Sequence, residues 1–123
     1  MSCSRGEIKI KEILEMNGLN FQQEYSFPDL ISSSRRALRF DFAVFDDDGN
    51  VDFLIEYQGE QHYEAFKHFG GKRNLARQQY NDNQKRIYCA RKEIPLVIIP
   101  YWKFIELDYD LIINCAYNGG GVV

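Results

Sequence analysis

The sequence lacks several features that would assign it to a class at once. Its 123 residues contain no apolar run long enough to cross a membrane. No apolar segment follows the first residues, so we expect no signal peptide and a cytoplasmic location. The three cysteines, Cys3, Cys89 and Cys115, are scattered and odd in number. That spacing does not match a zinc site, and it favours free, reduced thiols.

A surplus of positive charge is also missing, because the formal net charge is −3. This balance argues against a general binder of polyanions, yet the charges are unevenly distributed. Acids cluster at residues 46–48. Basic residues gather on either side of the central segment: Arg35, Arg36, Arg39, Lys72, Arg73, Arg77, Lys85, Arg86, Arg91 and Lys92. The sequence therefore still allows a local basic face that contacts phosphates.

What the chain does contain is enough apolar material for one core. Hydrophobic residues make up 45% of the sequence and aromatic residues 15%, which is typical of a globular domain of this length. We expect a single domain over residues 1–117 and a flexible, glycine-rich tail over 118–123. The pattern predicts an α/β fold with a mixed central sheet flanked by helices.

The centre of the chain is a predicted hairpin. Two β-rich runs, residues 39–45 and 51–58, flank a turn in which Gly49 and Asn50 tolerate positive φ. Each strand carries one carboxylate among apolar neighbours, Asp41 on the first and Glu56 on the second. Burying a bare carboxylate costs several kcal/mol. A divalent metal held between the strands would satisfy both acids.

The two-residue period of a strand makes this site geometrically possible. Residues i and i+2 share a face, so Glu56 and Gln58 point the same way and Tyr57 points to the other side. In an antiparallel hairpin Asp41 lies opposite Glu56. The sequence therefore predicts a cluster of Asp41, Glu56 and Gln58 at one end of the hairpin.

Other elements surround the hairpin. Residues 6–17 predict a helix with Ser4 as N-cap and Glu7 as its capping-box partner. Residues 19–27 alternate as a half-buried strand that Pro28 ends, and 29–37 form a loop. A helix is expected over 73–92, then a buried strand over 94–100 added parallel to the sheet, and a last helix over 104–117. Tyr101 and Trp102 are expected in the core or at its rim, with base stacking as the alternative.

The sequence resembles the motif of the PD-(D/E)XK nuclease superfamily in three features: Asp41, the hairpin, and the run Glu56-Tyr57-Gln58. Phe40 stands where that motif has Pro, and Gln58 stands where Lys is usual. The run from Glu56 to His62 more specifically resembles phage-type homing endonucleases and relatives of the very short patch repair endonuclease. The resemblance implies a restriction-endonuclease-like αβββαβ core over roughly residues 4–103.

The same resemblance implies roles for particular residues. Mg²⁺, for which Mn²⁺ would substitute, would be held by Asp41, Glu56, the Tyr57 carbonyl and Glu7. Glu7 is equally well explained as a helix cap, and Glu12 is the weaker alternative ligand. His62 would act as base, ligand or proton donor. Lys85 would replace the charge that Gln58 lacks, or else form an exposed ion pair with Asp82, which is also a candidate partner for His62.

These expectations describe a metal-dependent DNA endonuclease that acts as a nicking monomer or a double-strand-cutting homodimer. No helix-turn-helix or zinc-finger pattern is present, so sequence preference would come from an additional domain. One alternative is a catalytically inactive nucleic-acid-binding module on a nuclease fold. Another is a structural domain in which Asp41 and Glu56 pair with Arg39 or another arginine.

Overall fold

A computed structural model describes residues 4–32, 34–60 and 71–123, with the backbone alone for 71–75. Three helices lie in these ranges: α1 (Arg5–Met16), α2 (Gly71–Lys92) and α3 (Tyr109–Tyr117). A short 3₁₀ turn spans Tyr101–Lys103. The strands are β1 (Asn20–Ile31), β2 (Ala37–Phe45), β3 (Val51–Gln58), β4 (Leu96–Pro100) and β5 (Gly121–Val122). No helix of the described part of the chain could span a membrane.

The strands form one five-stranded mixed sheet in the order β1-β2-β3-β4-β5. Strand β2 pairs antiparallel with β1 and β3, whereas β4 pairs parallel with β3, and β5 pairs parallel with β4. The predicted crossover is confirmed, because α2 connects β3 to a parallel β4. The chain is therefore a mixed α/β domain whose central sheet is flanked by helices.

The two faces of the sheet are covered by different helices. On one face α1 and α3 contribute Ile10, Leu14, Ile112 and Ala116 to a core with the sheet residues Phe42, Val44, Phe53, Ile55, Val97 and Ile99. On the other face Tyr88 and Cys89 of α2 pack with Ala43, Leu54 and Leu96. Along β3 the faces alternate, so Leu54 faces α2 and Ile55 faces α1 and α3. Glu56 lies two residues after Leu54, so its side chain also points towards α2.

The hairpin is confirmed in its register and its turn. Phe42 lies opposite Ile55. In the turn, the backbone N–H of Asp46 donates to the backbone carbonyl of Asn50 at 2.8 Å. The Asp46 carboxylate also accepts from the N–H groups of Asp48 and Asn50. Gly49 has the positive φ of 84° that the turn requires.

Helix α1 begins as the sequence predicts. Ser4 is the N-cap, and its hydroxyl accepts from the Glu7 N–H at 3.2 Å. The helix ends at Asn17, after which Gly18 has a φ of 68°. A capping residue and a terminal glycine therefore fix both boundaries.

Three predicted boundaries differ from those of the structure. Strand β1 continues through Pro28 to Ile31, where the sequence predicted an end and a loop. Because β1 is an edge strand, it tolerates a residue without an N–H. Helix α3 begins at Tyr109 rather than at 104, since Asp108 caps it by accepting from the Leu111 N–H at 2.8 Å. Helix α2 begins at Gly71, slightly before the predicted residue 73.

The glycine-rich end was predicted to be a flexible tail, but Gly121 and Val122 pair with β4 as strand β5. The Val123 N–H also donates to the Ile98 carbonyl at 3.0 Å. Gly120 has a φ of 85°, and a Cβ there would lie 2.7 Å from the Leu96 backbone nitrogen. These glycines therefore let the chain approach the sheet closely. A glycine-rich composition is the same for a flexible tail and for such a close approach, so it does not distinguish the two.

Candidate functional site

Asp41 and Glu56 meet where the hairpin ladder ends. The last pair of the ladder is Phe42 with Ile55, and continuation of that register places Asp41 opposite Glu56. Beyond that pair the Asp41 carboxylate replaces a backbone acceptor, because its Oδ2 accepts from the Tyr57 N–H at 2.7 Å. The two carboxyl groups are close enough to influence each other's pKa. The predicted juxtaposition of the two acids is therefore present.

Lys85 of α2 completes the cluster. Its ammonium group forms an ion pair and hydrogen bond with Glu56 Oε1, and the two side chains are only 16% and 17% exposed. The same nitrogen lies 5.3 Å from the centre of the buried Phe40 ring. Phe40, which stands at the proline position of the motif, thus packs beneath the lysine. The structure therefore brings Lys85 to the Glu56 carboxylate, as the first of its two alternatives requires.

Burial dominates the electrostatics of both acids. It raises the pKa of Asp41, against the lowering effect of the Tyr57 N–H and of Lys85. It also raises the pKa of Glu56 to about 8, and the nearby Asp41 charge adds to the rise while Lys85 opposes it. Burial therefore disfavours the charged form of both acids, and Lys85 opposes that effect.

Glu7 serves as helix cap and still lies near the cluster. Its backbone N–H donates to the Ser4 hydroxyl, which is one of the two bonds of a capping box, and its carboxylate accepts from the same hydroxyl at 3.2 Å. Burial raises its pKa, and the charge of Asp41 raises it further. The structure thus confirms Glu7 as part of the helix cap, and its role as a metal ligand stays a prediction. Glu12, the weaker alternative, is exposed on another side of α1.

A cavity of about 830 Å³ opens beside Glu56 between β3 and α2. Gln58 lines it together with Asp82 and Lys85. Tyr57 lies on the other side of the strand, where its ring fills the space beside Gly6: a Cβ on Gly6 would lie 2.0 Å from the ring. The predicted division of the faces, with Glu56 and Gln58 opposite Tyr57, is therefore seen.

His62 lies outside the described residues, as does the segment 61–70. One neighbour of the site was missed from the sequence: Cys89, one helical turn after Lys85, is a buried free thiol. Burial and the Glu56 charge raise its pKa to about 12. The sequence could have indicated this position, because Cys89 follows Lys85 by four residues and residues four apart lie on the same side of a helix.

The donor set suits a hard divalent cation. Carboxylate oxygens from Asp41 and Glu56 converge, and Mg²⁺ keeps several waters, so few protein oxygens are needed. Within the described ranges no three His, Cys, Asp or Glu side chains form a metal-binding group. The candidate ligands in this part of the chain are Asp41, Glu56 and the Tyr57 carbonyl. Arg39 pairs with Glu24 at 4.0 Å instead of with either acid.

No family model and no solved structure matches the chain. Two curated viral proteins are similar to part of it. Uncharacterized protein 094L of Frog virus 3 (isolate Goorha) is 45% identical over 49 residues, which cover 38% of this chain and 32% of that protein. Uncharacterized protein 307L of Invertebrate iridescent virus 6 is 40% identical over 48 residues, covering 38% of this chain and 24% of that protein. The matched segments thus span at most about a third of either relative.

Proposed function

We propose that this chain is a divalent-metal-dependent endonuclease domain that hydrolyses phosphodiester bonds in DNA. The observation that carries the proposal is the convergence of Asp41, Glu56 and Lys85 at the end of the central hairpin. A helix, three antiparallel strands, a helix and a parallel strand follow in the order of a restriction-endonuclease-like core. Order and cluster together support membership of the PD-(D/E)XK superfamily.

Asp41 and Glu56 would hold the metal, with the Tyr57 carbonyl as a further ligand. When bound, Mg²⁺ or Mn²⁺ neutralises phosphate charge and lowers the pKa of a coordinated water. The Tyr57 N–H fixes the Asp41 carboxylate at 2.7 Å, so this ligand is oriented before substrate arrives. Gln58 lines the same cavity as Glu56, where its amide can hydrogen-bond and position the attacking water.

Lys85 supplies the positive charge that the motif usually carries at position 58. Its ammonium group reaches Glu56 from α2 rather than from the strand, and both side chains are largely buried. A cation in a water-poor site stabilises charge that develops on the phosphate far better than one at the surface. Replacement of the strand lysine by Gln58 is therefore compatible with catalysis.

The viral relatives support a virus-encoded protein acting inside the infected cell, as the resemblance to phage enzymes also suggests. One catalytic centre per chain would nick duplex DNA as a monomer or cut both strands as a homodimer. An additional domain of a longer protein would supply sequence preference.

Cleavage of supercoiled plasmid with Mg²⁺ or Mn²⁺ tests the proposal. We expect nicked or linear product from the wild type and none from Asp41→Asn, Glu56→Gln or an EDTA control. Asp29→Asn is the matched control, since Asp29 also pairs with a lysine of α2 but at an exposed position, and it should cleave normally. Folded wild-type protein that leaves plasmid and linear DNA intact with both metals would contradict the proposal. The ratio of nicked to linear product distinguishes the monomer from the dimer.

One observation favours a second candidate, an inactive nucleic-acid-binding module. Lys85 already provides Glu56 with a cation, and Gln58 replaces the motif lysine. DNA binding that is unchanged by EDTA, without cleavage in any metal, would select this alternative.

A further inference from the structure

A second cavity lies between helix α2 and the segment that joins β1 to β2. We name it the arginine pocket; it has a volume of about 690 Å³, and its polar lining residues are Ser32, Ser34, Arg36, Arg77 and Asn81. None of the described residues that line it carries a carboxylate. The pocket therefore concentrates positive charge and hydrogen-bond donors in a chain whose net charge is −3.

Two segments that are distant in sequence bring the arginines to this pocket. Arg36 immediately precedes β2, and Ser32 holds its backbone. The Ser32 N–H donates to the Arg36 carbonyl at 2.8 Å, and the Arg36 N–H donates to the Ser32 hydroxyl at 3.3 Å. Arg77 comes from the first part of α2. Beneath both lies Leu38, which belongs to the core between the sheet and α2. The fold thus places two guanidinium groups at one cavity.

The charges of these arginines are not neutralised by the described residues. In the described ranges no ion pair includes Arg36 or Arg77, whereas Arg39 of β2 pairs with Glu24. Two like charges at one cavity repel each other, and an anion between them reverses the sign of that interaction. The planar donor fork of arginine also matches the geometry of a phosphate group. The pocket therefore suits a phosphate.

Asn81 provides an independent observation. Its Oδ1 atom is buried and has no hydrogen-bond partner in the described part of the chain. Leaving a buried acceptor unpaired is costly, so such an atom requires an explanation. Arg77 lies four residues earlier on the same side of α2 and carries several N–H donors. When an anion orders the Arg77 side chain, donors remain for this oxygen. A bound anion would therefore complete the hydrogen bonding of Asn81.

The serine hydroxyls supply a further donor. Ser32 and Ser34 share one hydrogen bond between their hydroxyl oxygens, at 2.9 Å. Each hydroxyl carries one hydrogen, so a single bond between them uses only one of the two. The other hydrogen is available to a ligand in the pocket.

The arginine pocket lies on the same side of the sheet as the proposed metal site. Lys85 follows Arg77 by eight residues, which corresponds to about 12 Å along the axis of α2. On β2, Leu38 of the pocket precedes Phe40, which packs beneath Lys85, by two residues. A single phosphate is too small to contact both ends of this distance. A phosphate in the pocket is therefore a different one from the phosphate at Asp41.

We propose that the arginine pocket binds a phosphate group of the nucleic acid other than the one that is cleaved. This inference rests on the proposed nuclease function for the identity of its ligand. Contacts with phosphates fix the position of a nucleic acid on a protein without reading its sequence. The pocket thus holds the strand so that a neighbouring phosphate reaches Asp41 and Glu56.

Anisotropy of a short labelled DNA duplex tests this proposal, with titrations in EDTA so that the duplex is not cleaved. Arg36→Gln and Arg77→Gln should each weaken binding roughly tenfold, because each removes a charge-assisted hydrogen bond. The double variant should lower the steepness of log K against log salt concentration by about one, since one phosphate contact is lost. An unchanged salt dependence in the double variant would overturn the proposal.

Matched controls remove the same charge outside the pocket. Arg35→Gln changes the neighbour of Arg36, and Arg91→Gln changes an arginine of α2 that lies against the Tyr88 ring instead. Both controls should bind the duplex as the wild type does. Losses equal to those of Arg36→Gln and Arg77→Gln would show that net charge, rather than the pocket, governs binding, and would overturn the proposal.

Folding is separated from binding in two ways. Arg36 and Arg77 are exposed, so their glutamine variants should unfold at the same urea concentration as the wild type. Asn81→Asp places a carboxylate of nearly the same shape beside Arg77, where it competes with the phosphate. This variant should weaken binding at least as much as the loss of one arginine. Unchanged affinity of folded Asn81→Asp would contradict the proposal.

An internal phosphate and a 5′-terminal phosphate offer the pocket the same chemistry. Duplexes with and without 5′-phosphates distinguish them. Equal weakening of both duplexes by Arg36→Gln identifies an internal phosphate, whereas weakening of the phosphorylated duplex alone identifies the terminal one. Weakening of neither duplex would overturn the proposal.

Cleavage and phosphate binding can fail separately. If the wild type cuts DNA but Arg36→Gln and Arg77→Gln bind as the controls do, the pocket does not hold a phosphate and only the nuclease proposal survives. If these variants lose affinity but no DNA is cut with either metal, the nuclease proposal fails. The pocket is then the phosphate site of the inactive nucleic-acid-binding module.

Discussion

Two lysines of α2 form ion pairs with carboxylates of the sheet, yet the two pairs differ in almost every physical respect. Lys85 pairs with Glu56, and the side chains are 16% and 17% exposed. Lys92, seven residues later, pairs with Asp29 at 3.4 Å, and those side chains are 46% and 57% exposed. Seven residues are two helical turns, so both lysines lie on similar sides of α2. The same residue types therefore occupy opposite environments.

The pKa values of the two acids move in opposite directions. Burial raises the pKa of Glu56 to about 8 despite its lysine. The pKa of Asp29 is lowered, chiefly because the Tyr88 hydroxyl donates a hydrogen bond to its carboxylate, at 2.6 Å. That bond and burial also raise the pKa of Tyr88 to about 12. Desolvation therefore dominates the pKa of Glu56, whereas a hydrogen-bond partner dominates the pKa of Asp29.

The largest expected difference follows removal of each lysine. Lys85→Met leaves the Glu56 and Asp41 carboxyl groups buried without a cation, and we expect a loss of about 3 kcal/mol in the free energy of unfolding. Lys92→Met removes an exposed partner, and we expect no change beyond experimental error. Urea denaturation of both variants beside the wild type provides the comparison. Equal effects would contradict the distinction between the two pairs.

The pH dependence of stability sharpens the contrast. Glu56 has its pKa raised above the unfolded value of 4.5, so its contribution is fully present below pH 4.5 and is lost as the pH rises through about 8. In EDTA we expect the free energy of unfolding to fall by several kcal/mol over this range, since each unit of pKa shift corresponds to about 1.4 kcal/mol.

The Glu56→Gln variant should lose this decrease in the free energy of unfolding with rising pH, and the Asp29→Asn variant should retain it. Asp29, whose pKa is lowered, stabilises the fold above its unfolded pKa and loses that contribution as the pH falls. Its variant should therefore change only the acid side of the stability profile. If the free energy of unfolding changes with pH in the same way for the wild type and Glu56→Gln, the raised pKa of Glu56 does not govern stability.

The smallest expected effect is the coupling energy within each pair. A double-mutant cycle with Lys85→Met and Glu56→Gln should give about 1–2 kcal/mol, because the two groups share one buried environment. The corresponding cycle with Lys92→Met and Asp29→Asn should give a coupling indistinguishable from zero. A larger coupling in the exposed pair would reverse our ranking of the two sites.

Much of the fold follows from local sequence. Gly49 defines the hairpin turn, Ser4 and Glu7 define the start of α1, and the apolar run of β4 identifies a buried strand. Alternation along β3 separates Glu56 from Tyr57. Each of these signals acts within a few residues, so it can be interpreted without the tertiary structure.

The errors occur where the tertiary structure overrides local preference. Pro28 remains in β1 because that strand lies at the edge of the sheet, and the position of an edge is set by topology. Gly121 belongs to strand β5 because the chain brings it beside β4, with which it pairs in parallel. Lys85 was a candidate from the sequence, but its contact with Glu56 spans 29 positions and depends on how α2 crosses the sheet. No local pattern distinguishes that lysine from Lys92.

Binding of Mn²⁺ tests the central claim most directly, because the carboxyl pair is proposed to hold a divalent cation. Titration followed by electron paramagnetic resonance of free Mn²⁺ requires neither substrate nor turnover. We predict that the wild type and Asp29→Asn bind Mn²⁺ equally, and that Asp41→Asn and Glu56→Gln lose this binding while remaining folded. Absence of binding to the wild type, or equal binding by wild type and Glu56→Gln, would contradict the assignment of Asp41 and Glu56 as metal ligands.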